Sequence, residues 1–336
     1  MITKDKIVDD FHSLLTTEPQ QSRFYYNKSV SFRYELEFSK ICKKQKINTL
    51  DGGMFLFRKS PDFYFIYVTI SADKKENYSS FYDKLGGIDK KNLRHLFFGE
   101  IDGWDTDETT IKTNTGPEVK LDISNPQKCP PIEPIPKQKK QNTQILTPKI
   151  NFYEYDGVNW NPVTSDDIRK HFDTSRRAVY SRKQSFIEYM KQYSMESLAD
   201  FYSNRFFFDV TLAGISKGMS DIDKIIIDNE NYILVEVKNK TPTNNQFGWD
   251  FRRIAWYLFL KEKTGIDIQY VVAHIDNREN RDIVAWKDIT IDHWCKCADW
   301  GETSLEIRWL DMMNFRTIIT QSPDSGYRDS SILIIG

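Results

Sequence analysis

The chain is poor in cysteine, with four in 336 residues: Cys42, Cys129, Cys295 and Cys297. So few and so scattered, they make no disulfide framework, and reduced thiols are expected. No run approaches the roughly 18 uncharged apolar residues of a membrane span, and the start, MITKDKIVDD, has no apolar signal-peptide core. The expectation is a cytoplasmic protein with no membrane partner. A charge surplus is lacking as well: 47 Lys and Arg stand against 48 Asp and Glu, a formal net charge of −1. Proteins that coat nucleic acid indiscriminately displace counterions with a surplus of cations, so the balance argues against that class. It does not argue against an acidic catalytic centre beside a local basic face. The absence of a Walker loop and of a nucleophile elbow removes P-loop NTPases and serine hydrolases. There is no internal repeat.

What is present is an ordinary folded composition, 39% hydrophobic and 28% charged, in a length that suits two domains. A short helix around Lys4 to Leu15 and the strand-like runs MFLFRK and FYFIYVTIS predict an α+β domain over residues 1–115. Residues 99–108, GEIDGWDTDE, are acidic without the spacing of a calcium loop and read as a solvated loop. From Asn114 to Lys149 the text is rich in Pro, Lys, Gln and Asn, which predicts a linker over 116–148 and a second domain over 149–336 able to fold alone.

Past the linker, TSDDIRKHFDTSRRAVYSRKQSFIEYMKQY carries two helical patterns and the densest basic charge. Arg176, Arg177, Arg182 and Lys183 are candidate phosphate contacts, with a helix-turn-helix as one form. The other reading is a solvated helical face partnered by Asp166, Asp167 and Asp173. His293, Cys295 and Cys297 offer three zinc-capable groups, but no second closely spaced pair completes a tetrahedral site, and packing is the reading.

Residues 220–240, SDIDKIIIDNENYILVEVKNK, read as two strands joined by a DNEN turn. Glu236 and Lys238 are two apart and share a face of the second strand. An antiparallel hairpin brings Asp223 back beside them. Two carboxylates and an ammonium then converge, the set that metal-assisted phosphodiester hydrolysis uses: hard oxygens for Mg²⁺, and a lysine beside the nucleophilic water. The spacing alone leaves a second reading open, in which Ile233, Val235 and Val237 face a core while Glu236 and Lys238 face water.

Upstream, Glu196, Leu198, Ala199 and Tyr202 spell E-x-L-A-x-x-Y; Gly218, Asp221-Ile222-Asp223 and Val235-Glu236-Val237-Lys238 follow. This text resembles the restriction-endonuclease-like, PD-(D/E)XK, superfamily, in particular the branch of archaeal Holliday junction resolvases and small bacterial nucleases. The resemblance covers the second half of the chain only. It implies Asp223 and Glu236 as metal ligands, Lys238 as the residue that positions the attacking water, and Glu196 as a helical acid assisting metal binding. Asp221 stands where the family's accompanying acid is usually Glu, and Gln246 matches a glutamine near the active-site mouth of some relatives. The helical run Gln246 to Lys263 buries Phe251, Ile254 and Leu258 and leaves Arg252 and Arg253 as candidate phosphate contacts; Ile268 to Ile275 is the next strand.

The implied fold is α/β: a restriction-endonuclease-like core of helix, three strands, helix and strand with a mixed sheet, preceded by a separate α+β N-terminal domain. The implied function is a Mg²⁺-dependent endonuclease acting on DNA, with Mn²⁺ substituting, of the type II restriction or phage-defence kind, with a homodimer for double-strand cleavage. The N-terminal half would select the target. Two alternatives stand beside it, a structure-specific junction or repair nuclease and a non-catalytic nucleic-acid-binding module.

Overall fold

A computed structural model of the chain describes residues 2–15, 23–59, 63–88, 93–115, 139–172, 174–175, 190–212, 215–216, 219–240, 247–248, 251–276, 282–292, 320–322 and 328–329. The helices used below are α1 (Lys4–Leu15), α2 (Arg23–Lys44), α3 (Ser79–Gly86), α4 (Ser165–Arg169), α5 (Met195–Phe206) and α6 (Phe251–Thr264). The strands are β1 (Asn48–Asp51), β2 (Met54–Lys59), β3 (Phe63–Ser71), β4 (Leu93–Trp104), β5 (Thr109–Thr115), β6 (Lys139–Ile145), β7 (Pro148–Tyr155), β8 (Trp160–Val163), β9 (Met219–Asp221), β10 (Lys224–Asp228), β11 (Asn231–Lys240), β12 (Asp267–Ile275), β13 (Ile283–Thr290) and β14 (Arg328–Asp329). The architecture is mixed α/β. Among the described residues no helix is long and apolar enough to cross a membrane.

The chain forms two compact units, and they do not follow the expected split at 116–148. Unit 1 takes Met1–Phe32, Val68–Glu76 and Phe97–Met219; unit 2 takes Arg33–Tyr67, Asn77–Leu96 and Ser220–Gly336. Each draws on both sides of the expected linker. Part of that linker is also regular structure, because β6 pairs antiparallel with β5 from Thr109↔Ile145 to Thr115↔Lys139. Its text, KKQNTQI, hides the strand behind polar residues, yet Ile111, Thr113 and Ile145 are buried and the Thr113 and Thr143 hydroxyls bond at 2.7 Å.

In unit 1, α1 buries Ile7, Val8, Phe11 and Leu14, a stripe at helical spacing. Phe11 packs against Phe201 and Tyr202 of α5. Asp10, buried on the same helix, accepts the Leu146 N–H at 2.8 Å, and the Tyr202 hydroxyl donates to the Leu146 carbonyl at 2.6 Å. Strand β7 pairs with β4 and β8, and the Asp156–Asn159 turn joins β7 to β8, with Gly157 at φ +100°. Helix α4 begins with a capping box in which Thr164 and Asp167 bond each other's main chain. The expected acidic loop at 99–108 is only partly a loop: Gly99–Trp104 lies in β4, and Asp105–Glu108 is exposed.

Unit 2 carries a six-stranded mixed sheet in the order β1-β10-β11-β12-β13-β14. The expected hairpin forms: β10 pairs with β11 from Lys224↔Val235 to Asp228↔Asn231, and Asn229 takes φ +55° in the turn. Strand β11 then runs parallel to β12, Ile233↔Asp267 through Lys240↔His274, with α6 as the crossover. Strand β12, DIQYVVAHI, is buried almost throughout, as a central strand covered on both faces should be. One expectation changes. The strand beside β10 comes from the N-terminal part of the chain: β1 pairs antiparallel with it, Asn48↔Ile227 to Asp51↔Lys224. Ile225 and Ile226 are fully buried, and an apolar β10 left as a bare edge would expose unpaired backbone; β1 covers that edge.

Candidate active site

The chain leaves β9 at Asp221 and enters β10 at Lys224, so Asp223 stands in a break just before the strand. Its main chain is bonded on both sides, the N–H to the Val235 carbonyl at 3.0 Å and the carbonyl from the Gly52 N–H at 3.2 Å. Its carboxylate Oδ2 accepts the Val237 N–H at 2.6 Å and lies 3.3 Å from Lys238 Nζ. Glu236, on β11 opposite Tyr270 of β12, places Oε1 3.0 Å from the same ammonium. Lys238 also donates to the Val237 carbonyl at 3.2 Å. Three oxygens, Asp223 Oδ2, Glu236 Oε1 and Val237 O, thus face one cationic nitrogen.

Burial explains why the ammonium sits there. The Asp223 and Glu236 side chains are 5% and 1% exposed, and that of Lys238 is 25%. A carboxylate taken out of water costs several kcal/mol unless a cation compensates. The second reading of the sequence, with Glu236 facing water, therefore does not hold. Glu236 has a further partner, because Tyr257 on α6, fully buried, donates to Oε2 at 2.7 Å. The Tyr257 oxygen lies 3.3 Å from Ser220 Oγ and 3.3 Å from the Asp221 carbonyl. Asp221 thus meets the cluster through its main chain.

The donor set fits a small hard dication. Among the described residues no three His, Cys, Asp or Glu side chains gather into a metal-holding group; the hard oxygens that the cradle offers are two carboxylates and one main-chain carbonyl. Mg²⁺ is held in just this way, by one or two carboxylates with waters completing the octahedron. The Lys238 ammonium sits among these three oxygens.

Asp223, Glu236 and Lys238 meet within unit 2. Glu196 belongs to unit 1, where it is exposed in the first turn of α5, and Leu198 and Tyr202 of the same run are core residues. Arg176, Arg177, Arg182, Lys183 and Gln246 fall outside the described residues, as do His293, Cys295 and Cys297. Arg252 and Arg253 lie in the first turn of α6, and their side chains are likewise outside the description. Cys42 is a free thiol, and burial pushes it up to about 11. It is no nucleophile.

Sequence reasoning missed Tyr257, Ser220 and the Gly52–Gly53 step. Tyr257 had a usable signal: a tyrosine within the apolar run of a helix needs a buried partner for its hydroxyl. Ser220 and the glycines had none, since their contacts depend on the fold. No protein-family model, no curated protein and no solved structure matches the chain.

Proposed function

We propose that the protein is a divalent-metal-dependent endonuclease of the restriction-endonuclease-like kind that hydrolyses DNA phosphodiester bonds. The observation that carries this reading is the cradle of Asp223 Oδ2, Glu236 Oε1 and Val237 O around Lys238 Nζ. The parallel β11–α6–β12 crossover beside an antiparallel hairpin supports the fold part of the proposal.

Mg²⁺, or Mn²⁺ in its place, would be held by Asp223, Glu236 and the Val237 carbonyl, and when bound it polarises a phosphoryl oxygen and acidifies water. The chain's own residues do the rest. Tyr257 occupies Glu236 Oε2 and leaves Oε1 for the cradle. With a metal in the cradle Lys238 would yield that position and, being the most exposed of the three, would be the group available to the attacking water. It would orient that water by hydrogen bonding and stabilise charge building on the phosphoryl oxygens. The preferred substrate is duplex DNA, cut as a type II restriction or phage-defence enzyme would cut it, by a homodimer where both strands are severed.

The test is digestion of plasmid and phage DNA with Mg²⁺, Mn²⁺ or Ca²⁺, alongside a four-way junction and excess EDTA. Mg²⁺ and Mn²⁺ should support cleavage, and Ca²⁺, larger and less demanding in geometry, should support binding with little cleavage. Discrete fragments identify a restriction enzyme. Preference for the junction selects the structure-specific alternative. Binding with no cleavage under any metal selects the non-catalytic module, and full activity in EDTA would falsify the metal mechanism.

A further inference from the structure

The candidate metal centre lies on β10 and β11, but the main chain that fixes one of its carboxylates comes from about 170 residues earlier. Strand β1 runs antiparallel to β10 and ends opposite Lys224 at Asp51. Immediately beyond the pair, Gly52 donates its N–H to the Asp223 carbonyl at 3.2 Å, and Gly53 accepts the Ile222 N–H at 2.8 Å. Between them these two bonds bracket the residue that turns its carboxylate into the cradle. The segment is itself anchored twice: the Asp51 N–H donates to the Tyr78 hydroxyl at 3.0 Å, and the Asp51 carboxylate pairs with Lys224 Nζ at 2.6 Å.

Position 52 admits no side chain. A β-carbon built on Gly52 would overlap the Ile222 carbonyl oxygen and press against the main chain of Asp223. The glycine is needed for close approach of two backbones, and any larger residue displaces Ile222–Asp223. That displacement acts on the cluster directly, because the main chain of Asp223 carries the Oδ2 that meets Val237 N at 2.6 Å and Lys238 Nζ at 3.3 Å.

We propose that Asp51, Gly52 and Gly53 form a positioning segment of the metal centre, holding the main chain of Asp223 so that its carboxylate, Glu236 and the Val237 carbonyl present one cation cradle. The proposal rests on the reading of that cluster as a divalent-metal site. The segment touches neither metal nor substrate; it acts through Asp223. A loss of register here is felt as a change in metal affinity, because a carboxylate displaced by even an ångström no longer shares a cation with its partner.

The experiment is a Mn²⁺ titration of the full chain, following free Mn²⁺ by electron paramagnetic resonance, together with the Mn²⁺ dependence of DNA cleavage. The proteins are wild type, Gly52→Ala, Asp51→Asn, Asp223→Asn and Gly86→Ala, the last a control whose β-carbon would meet nothing within 4 Å. Wild type and the control should bind Mn²⁺ equally, and Asp223→Asn should abolish binding. Gly52→Ala should bind at least tenfold more weakly and Asp51→Asn about threefold more weakly, with cleavage recovered at raised Mn²⁺, a split that general destabilisation does not give. Should Gly52→Ala not fold, Asp51→Asn decides alone. Wild-type Mn²⁺ affinity in the folded variants, with Asp223→Asn still inactive in binding, overturns the positioning role and leaves the metal reading intact. Failure of wild type to bind Mn²⁺ removes both.

Discussion

Lys238 is the residue on which the site's energetics turn, since its ammonium lies within ion-pair distance of both nearly buried carboxylates. Lys238→Ala should abolish cleavage. It should also lower stability by about 3–5 kcal/mol in the absence of divalent metal, the range for removing one partner of a buried pair. Mg²⁺ or Mn²⁺ should restore much of that loss, because a ligand that binds only the folded state stabilises it. Thermal unfolding of the variant with and without Mn²⁺ checks both, and an unchanged midpoint in metal-free buffer would mean that the carboxylates do not depend on the lysine. Tyr257→Phe removes the bond to Glu236 Oε2 and should cost about 1.5–3 kcal/mol of stability, the range for a hydrogen bond to a charged group. Its cleavage rate should fall about tenfold with DNA binding unchanged; a wild-type rate would show that Glu236 is held adequately without the phenol. At this scale the sequence was partly legible. Asp223, Glu236 and Lys238 follow from strand period and a turn, whereas Tyr257 meets Glu236 only after the helix has crossed the sheet.

Elements with a strong local signal were legible, and those built from polar text were not. Helix α1 was readable from its apolar stripe, and the β10–β11 hairpin from DNEN between two apolar runs. The β5–β6 pair was not, because its strands are rich in Thr, Lys, Gln and Asn, and Thr113 is buried beside Ile111 and Ile145. The β7–β8 turn shows how much a short polar text can specify. The Asp156 carboxylate accepts the N–H groups of Asn159 and Val158 and the Asn161 side-chain amide, and these bonds, the Asn159 one foremost, hold its carboxyl down to about 2. An aspartate in an unfolded chain titrates near about 4. The folded value is the lower one, so the turn's stabilisation is complete above that range and is lost as pH falls toward 2. Following the Asp156 carboxyl by NMR through an acid titration tests this, and a midpoint near 4 would mean that the turn does not hold the carboxylate in solution.

At the scale of the whole molecule the two compact units do not follow the expected boundary at 116–148, and each draws on distant parts of the chain. The sequence could not announce this, because β1 is only Asn48–Asp51, too short for a pattern, and its partner lies far along the chain. A physical consequence follows for residues 149–336. Cut free, they keep Asp223, Glu236, Lys238 and Tyr257 but lose β1, the Gly52–Gly53 step and much of the unit 2 core, including Phe38, Leu50, Phe55, Phe65, Tyr67 and Phe81. Burying such a side chain is worth about 1.5–3 kcal/mol, so these six alone match the whole net stability of a domain, about 5–15 kcal/mol. The isolated fragment should therefore show no cooperative unfolding transition in denaturant and no Mn²⁺-dependent shift, while the full chain shows both. Adding residues 1–148 as a separate chain should restore them in part, since strand pairing between β1 and β10 needs no covalent continuity. Tryptophan fluorescence and circular dichroism of the fragment, the pair and the full chain make the comparison. Cooperative unfolding of the fragment alone, with the Mn²⁺ shift of the full chain, would return the molecule to two sequential domains and leave β1 as a dispensable edge.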